Sequence, residues 1–172
     1  ITKKQKIDVF RGSTNNVLSR YIECAKLYNP KIIVRACGDD PLIDINLIDK
    51  MLKIQKKNNF DFVTNVINKT YPLGLDSTVV KFDILKRIPS LTRDSYHYEN
   101  VVTYLHHNKT KYKHYLFDRK IDKYSGMRWT FDYEEDLKFI KKIYYYLYKK
   151  NQNFNYKDVI KIINDKKIKG NF

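Results

Sequence analysis

A β-branched apolar run that ends in an acidic turn does most to limit how this chain can fold. Residues 31–36 read Lys-Ile-Ile-Val-Arg-Ala, and Gly38-Asp39-Asp40-Pro41 follows at once. β-Branched side chains suit a pleated, buried surface, so the run predicts a core strand. Gly, Asp and Pro then form a turn. Asp44 supplies an N-cap for a helix with Ile45, Ile48 and Leu52 on one face. Residues 61–66 predict a second buried strand. Strand, helix and strand in this order indicate an α/β fold with a mainly parallel sheet. In open sheets of that kind, ligands bind beyond the carboxyl ends of the strands. The acidic turn is therefore where chemistry is expected.

The flanking segments extend the pattern. Residues 7–10 alternate and predict a short strand. Ser13 or Thr14 caps a helix carrying Val17, Tyr21, Cys24 and Tyr28 at helical spacing, with Leu18 and Ala25 beside them, and Pro30 stops it. Residues 71–75 form a turn and 76–80 an extended segment. A short helix is expected over 82–88, ended by Pro89, and another over 95–107 with Val101, Val102 and Leu105 inward. Strands are expected at 113–117 and 129–131. Residues 133–149 form the clearest helix, with Leu137, Ile140, Tyr144 and Leu147 on one stripe. A last helix covers 156–165. No repeat or low-complexity linker divides the chain, so residues 1–172 read as one domain.

Composition excludes several classes. No stretch approaches the ~20 consecutive apolar residues of a membrane span, and no signal-peptide pattern opens the chain. Cys24 and Cys37 form no CxxC pair, which argues against a disulfide framework or a zinc site. The reading is of a soluble, cytoplasmic protein without a membrane partner. The 34 Lys+Arg against 19 Asp+Glu give +15. Most of the basic residues are lysines, and the pairs 56–57, 141–142, 149–150 and 166–167 fall on separate segments, so no nucleic-acid patch is expected. High positive charge would still attract phosphate-bearing ligands.

Two acidic segments can carry chemistry. Asp39, just past the 31–36 strand, could help hold Mg²⁺, which takes hard oxygen ligands and only one or two from protein. Read from the residues alone, it could also be an ordinary turn aspartate. Asp132, in Arg128-Trp129-Thr130-Phe131-Asp132, again ends a predicted strand. It could bind metal, or cap the long helix with Glu135 three residues on, as in a capping box. The two roles are compatible. His106, His107 and His114 lack partners at ligand spacing. Nothing near Cys37 would activate its thiol.

Five blocks, in order, resemble the SpsF-type spore-coat polysaccharide cytidylyltransferases, relatives of the CMP-KDO and CMP-acylneuraminate synthetases. They are Val9-Phe10-Arg11-Gly12-Ser13 with Val17-Leu18-Ser19-Arg20-Tyr21; Ile33-Val34-Arg35 with Gly38-Asp39-Asp40-Pro41-Leu42-Ile43-Asp44; Thr70-Tyr71-Pro72-Leu73-Gly74-Leu75-Asp76; Tyr98-Glu99-Asn100-Val101; and Arg128-Trp129-Thr130-Phe131-Asp132 with Glu135-Asp136-Leu137. The resemblance implies a Rossmann-like nucleotide-diphosphosugar transferase fold of the GT-A-like, three-layer type, with an arm that helps build the sugar site and often a homodimer interface. It implies an enzyme transferring CMP from CTP to an acidic sugar, releasing pyrophosphate, for cell-surface polysaccharide synthesis.

On the same ground Asp39 and Asp132 are the metal-binding, catalytic aspartates for Mg²⁺. Arg11, Arg20 and Arg35 lie on the nucleotide side, and Asp76 and Glu99 near the sugar pocket. Two departures stand out. Thr78 replaces an acid of the family, and residues 99–104 lack its His and Pro. The family's opening strand and glycine-rich nucleotide loop are not in this sequence, which begins at Ile1, so an N-terminally truncated chain that binds CTP poorly is expected. The competing expectations are another nucleotidyl- or glycosyltransferase on the same fold, and a non-catalytic α/β module binding anions or nucleic acid.

Overall fold

A computed structural model describes residues 7–169. Four short strands form one sheet: β1 (Ile32–Arg35), β2 (Phe62–Thr64), β3 (Thr78–Lys81) and β4 (His114–Leu116), in the order β1-β3-β2-β4. β2 and β4 run parallel, with Phe62 opposite His114, Val63 opposite Tyr115 and Thr64 opposite Leu116. Non-consecutive neighbours require crossovers, which the helices supply. β2 is buried throughout, as its Phe-Val-Thr sequence demands. β1 is only half-buried along its length, against the expectation of a core strand.

The residues group into two compact units, one within Ile1–Ile33 and Val80–Lys113, the other within Val34–Val79 and His114–Phe172. In the first, α1 (Val17–Tyr28) is capped by Asn16, whose side chain accepts from Ser19 N at 2.9 Å. Neither expected cap, Ser13 or Thr14, caps α1; Ser13 Oγ instead accepts from Asn16 N at 3.1 Å and so supports the true cap. Asn29, at φ 45°, ends the helix one residue before Pro30. Residues 7–10 form no strand: Ile7 and Val9 stay more than half exposed, so their alternation buries nothing. The single helix expected over 82–88 is two turns, α3 (Phe82–Leu85) and α4 (Ile88–Leu91). Pro89 sits at the start of the second, where its missing N–H costs nothing. The helix expected over 95–107 is also broken, into α5 (Ser95–Glu99) and α6 (Thr103–His107), by Val101 at φ 52°. Val101, Val102 and Leu105 are nevertheless buried, as expected.

In the second unit Asp44 caps α2 (Ile45–Asn58), accepting from Asn46 N and Leu47 N. The buried stripe of α2 is Leu47, Met51 and Gln55 rather than the 45/48/52 face, and Ile45 is 64% exposed. α7 (Glu134–Leu147) and α8 (Tyr156–Asp165) pack together. With Leu42, Tyr71, Leu75, Met127 and the fully buried Trp129 they build the main core. Asp44 links this core to its own turn, its second oxygen accepting from Tyr156 N at 2.9 Å. Residues 129–131 form no strand; only an isolated parallel bridge joins Leu73 to Arg128. No helix among the described residues is long and apolar enough to cross a membrane.

Candidate active site

The acidic turn leaves β1 at Arg35 and splits its two aspartates. Asp39 is exposed, whereas Asp40 is buried, and Ile43 N closes the turn on the Asp40 carbonyl at 3.2 Å. Asp40 Oδ2 is buried with no hydrogen-bond partner among the described residues. Burial pushes the Asp40 carboxyl up to about 7; the nearby Asp39 and Asp76 carboxylates add to this and Arg35 opposes it. One ligand atom each from Cys37, Asp39 and Asp40 lie within 4.8 Å of one another. Burial also holds the Cys37 thiol at about 11, so it stays protonated at neutral pH, in keeping with its expected inertness. Asp76 is raised as well, by burial first, while Arg35 and Lys69 pull it down. A cluster of carboxylates with too few cations has a standing affinity for added positive charge.

The second segment is built differently from its expected capping box. The N-cap of α7 is Tyr133, not Asp132, and the side chain that reaches back is Asp136, not Glu135. Asp136 is fully buried. Its Oδ2 accepts from Asp132 N at 3.0 Å and Tyr133 N at 2.9 Å, and its Oδ1 takes Arg128 Nη2 at 2.6 Å. Asp132 is thereby released from capping. Its exposed carboxylate accepts from Thr130 Oγ1 at 2.7 Å. The spacing of Asp132 and Asp136 is visible in the sequence, but which aspartate caps depends on where the helix starts, the least predictable feature of a helix.

A single backbone bond joins the two segments. Phe131 N donates to the Asp39 carbonyl at 2.8 Å. Covalent geometry then limits the separation of the Asp39 and Asp132 Cα atoms to about 10 Å. Behind this junction, Gly74 at φ 101° lies against the Trp129–Thr130 peptide, where a Cβ would come within 2.8 Å of Trp129 C. Leu73 brackets the same place, donating to Met127 O at 3.0 Å and accepting from Trp129 N at 2.7 Å. The Tyr71-Pro72-Leu73-Gly74-Leu75-Asp76 segment therefore shapes the strand-like stretch that ends in Asp132.

Asp76 is held from below by a residue the sequence did not single out. Asn65, buried just past β2, donates to Leu75 O at 2.8 Å and accepts from Ser77 N at 2.8 Å. These bonds flank Asp76 on both sides. At the other end of the segment Arg119 donates to Thr70 O, pairs with Asp122, and lies over the Tyr71 and Tyr156 rings. Of the expected site residues, Arg35, Asp39, Asp76 and Asp132 fall in this unit. Arg11, Arg20 and Glu99 belong to the other, where a Cβ on Gly12 would come within 2.9 Å of Arg20 Cγ. The lysine pairs are less dispersed than their segments suggest. Lys141, Lys142, Lys166 and Lys167 line one open depression of about 640 Å³ with Tyr145 and Tyr146.

Residues 2–166 match the model of the cytidylyltransferase family. The chain belongs to the cytidylyltransferase family. Relatives of this cytidylyltransferase-family chain include an uncharacterized protein of Methanocaldococcus jannaschii, 39% identical over 133 residues, which are 77% of this chain and 54% of that protein. The spore coat polysaccharide biosynthesis protein SpsF of Bacillus subtilis is 32% identical over 145 residues, 82% of this chain and 58% of SpsF. The chain thus spans a little over half the length of these curated relatives. A solved cytidylyltransferase from Leptospira borgpetersenii serovar Hardjo-bovis superposes with a TM-score of 0.89 at 33% identity, over 96% of this chain and 69% of that one. The SpsF-type membership and the Rossmann-like α/β fold read from the sequence are both borne out.

Proposed function

We propose that this chain carries the metal- and sugar-binding part of a Mg²⁺-dependent enzyme that transfers CMP from CTP to an acidic sugar. A sugar hydroxyl attacks the α-phosphorus of CTP, a new oxygen–phosphorus bond forms, and the bond to the departing pyrophosphate breaks. The observation that supports the reading is the Phe131–Asp39 backbone bond, which keeps the Cα atoms of Asp39 and Asp132 within about 10 Å of each other. The donor set suits a hard cation: exposed carboxylates at Asp39 and Asp132, and a buried, unpartnered Asp40 oxygen beside the first. Asp39 and Asp132 would hold Mg²⁺, which when bound neutralises charge on the phosphate oxygens.

The chain's own residues do the remaining work. Arg35, beside the acidic turn, offsets the charge of Asp40 and Asp76 and is available to a nucleotide phosphate. Asp76, whose flanking backbone is fixed through Asn65, is assigned to a sugar hydroxyl. The excess of basic residues would attract an anionic sugar. The test is pyrophosphate release from CTP by Asp39→Asn and Asp132→Asn variants of the intact enzyme. Each is expected to fall by roughly 10²–10³-fold or more with the fold retained. Turnover at the wild-type rate in either variant rejects the reading. Competition among CTP, UTP, GTP and ATP tests the base, and equal use of UTP would favour a different nucleotidyltransferase.

A further inference from the structure

Asp136 is buried, pairs with Arg128, and plays no part in the reaction proposed above. Capping alone would require one bond to Tyr133 N. Instead its Oδ2 takes two peptide N–H groups, those of Asp132 and Tyr133, at 3.0 and 2.9 Å. These two peptide planes lie on either side of the Asp132 Cα. The two planes flanking a Cα define its φ and ψ, and with them the direction in which Cβ leaves the backbone. One oxygen atom therefore sets where the Asp132 carboxylate can go. The other oxygen is anchored by Arg128 Nη2 at 2.6 Å, and the Arg128 guanidinium lies 4.8 Å from the centre of the Tyr133 ring. Arg128 is itself fixed by the parallel bridge to Leu73. Upstream, Phe131 N is tied to the Asp39 carbonyl. Every peptide N–H from 131 to 133 is thus committed, and the Asp132 side chain accepts from the Thr130 hydroxyl.

We propose that Asp136 is a positioning residue, which together with Arg128 holds the Asp132 carboxylate at the angle a shared cation requires. This inference rests on the assignment of Asp132 as a metal ligand. Residues that orient a ligand from behind commonly alter metal affinity by about 10–100-fold when changed. A residue that only capped α7 would lower the melting temperature and leave the affinity of the folded protein untouched.

The experiment is Mn²⁺ binding by the full chain, read from the electron paramagnetic resonance of the free ion, at a temperature where circular dichroism shows each variant folded. Asp136→Asn keeps the size but loses the second carboxylate oxygen. Its Mn²⁺ dissociation constant is expected to rise about tenfold or more. Arg128→Lys, which keeps Asp136 but removes the forked partner, is expected to raise it several-fold and carries the test if Asp136→Asn does not fold. Asp132→Asn is measured alongside. If Asp132→Asn weakens Mn²⁺ binding while the folded Asp136→Asn, or failing that Arg128→Lys, binds like wild type, the positioning role is overturned and the metal assignment stands. If Asp132→Asn binds Mn²⁺ like wild type, the metal assignment fails first and the positioning role with it.

Discussion

Replacing Gly74 with alanine should damage this protein far more than its single added methyl group suggests. The backbone at 74 has φ 101°, a region L side chains rarely adopt. Occupying such a region costs of order 1–3 kcal/mol. The new Cβ would also stand 2.8 Å from Trp129 C and 2.9 Å from Thr130 N. Both are backbone atoms beside a fully buried tryptophan, so relief requires the 129–130 segment to move. Overpacking of this kind costs about 1–3 kcal/mol. Together the two effects predict a loss of about 2–6 kcal/mol, or a melting point lower by roughly 4–24 °C at this chain length. Urea denaturation of Gly74→Ala against wild type measures it. Gly126→Ala is the control: its Cβ would meet nothing within 4 Å, so a change within about 0.5 kcal/mol is expected. Equal stability for Gly74→Ala and wild type would refute the close approach of the two segments.

Other consequences follow from the same geometry. Asp40 has its pKa raised by burial to about 7, so the protonated form is the one the fold favours. Its stabilising contribution is complete below the ordinary carboxylate range and is lost as pH rises through about 7. Asp40→Asn, without divalent cations, should therefore gain stability over wild type progressively from about pH 4 to pH 7, reaching on the order of 2–4 kcal/mol. A thermal-melt series across pH measures this, and a constant difference between the two proteins would contradict it. Asn65→Ala leaves the buried Leu75 carbonyl and Ser77 N–H without their partner and should cost about 2–4 kcal/mol in urea titration. In the active enzyme it should raise KM for the sugar more than for CTP. Equal effects on the two substrates would argue against a sugar-side role for Asp76.

Much of this architecture was legible because single segments announced it. The α2 cap at Asp44 and the α8 boundaries depend on local chemistry and periodicity, and the structure keeps them; of the expected parallel pairing it shows β2 beside β4. The helix over residues 95–107 failed because its break is a backbone feature, Val101 at positive φ, that no side-chain pattern encodes. The apolar face of α2 was misjudged because a stripe containing Gln55 does not look apolar; Gln55 is buried because its Nε2 donates to Phe60 O at 2.9 Å. At the site, Asp39 and Asp132 were visible as acids in motif contexts. Asp136 stood in the same motif without its role being legible, and Asn65 was not singled out, because both act by bonding backbone in the folded chain.

The central claim is that Asp39 and Asp132 grip the same cation, and a double-mutant cycle on divalent-ion affinity addresses it most directly. Mn²⁺ dissociation constants would be measured for wild type, Asp39→Asn, Asp132→Asn and the double variant. A shared ion predicts strong non-additivity, the double variant binding scarcely more weakly than either single one. Two independent, additive losses would contradict the account, as would a single substitution that leaves the affinity unchanged.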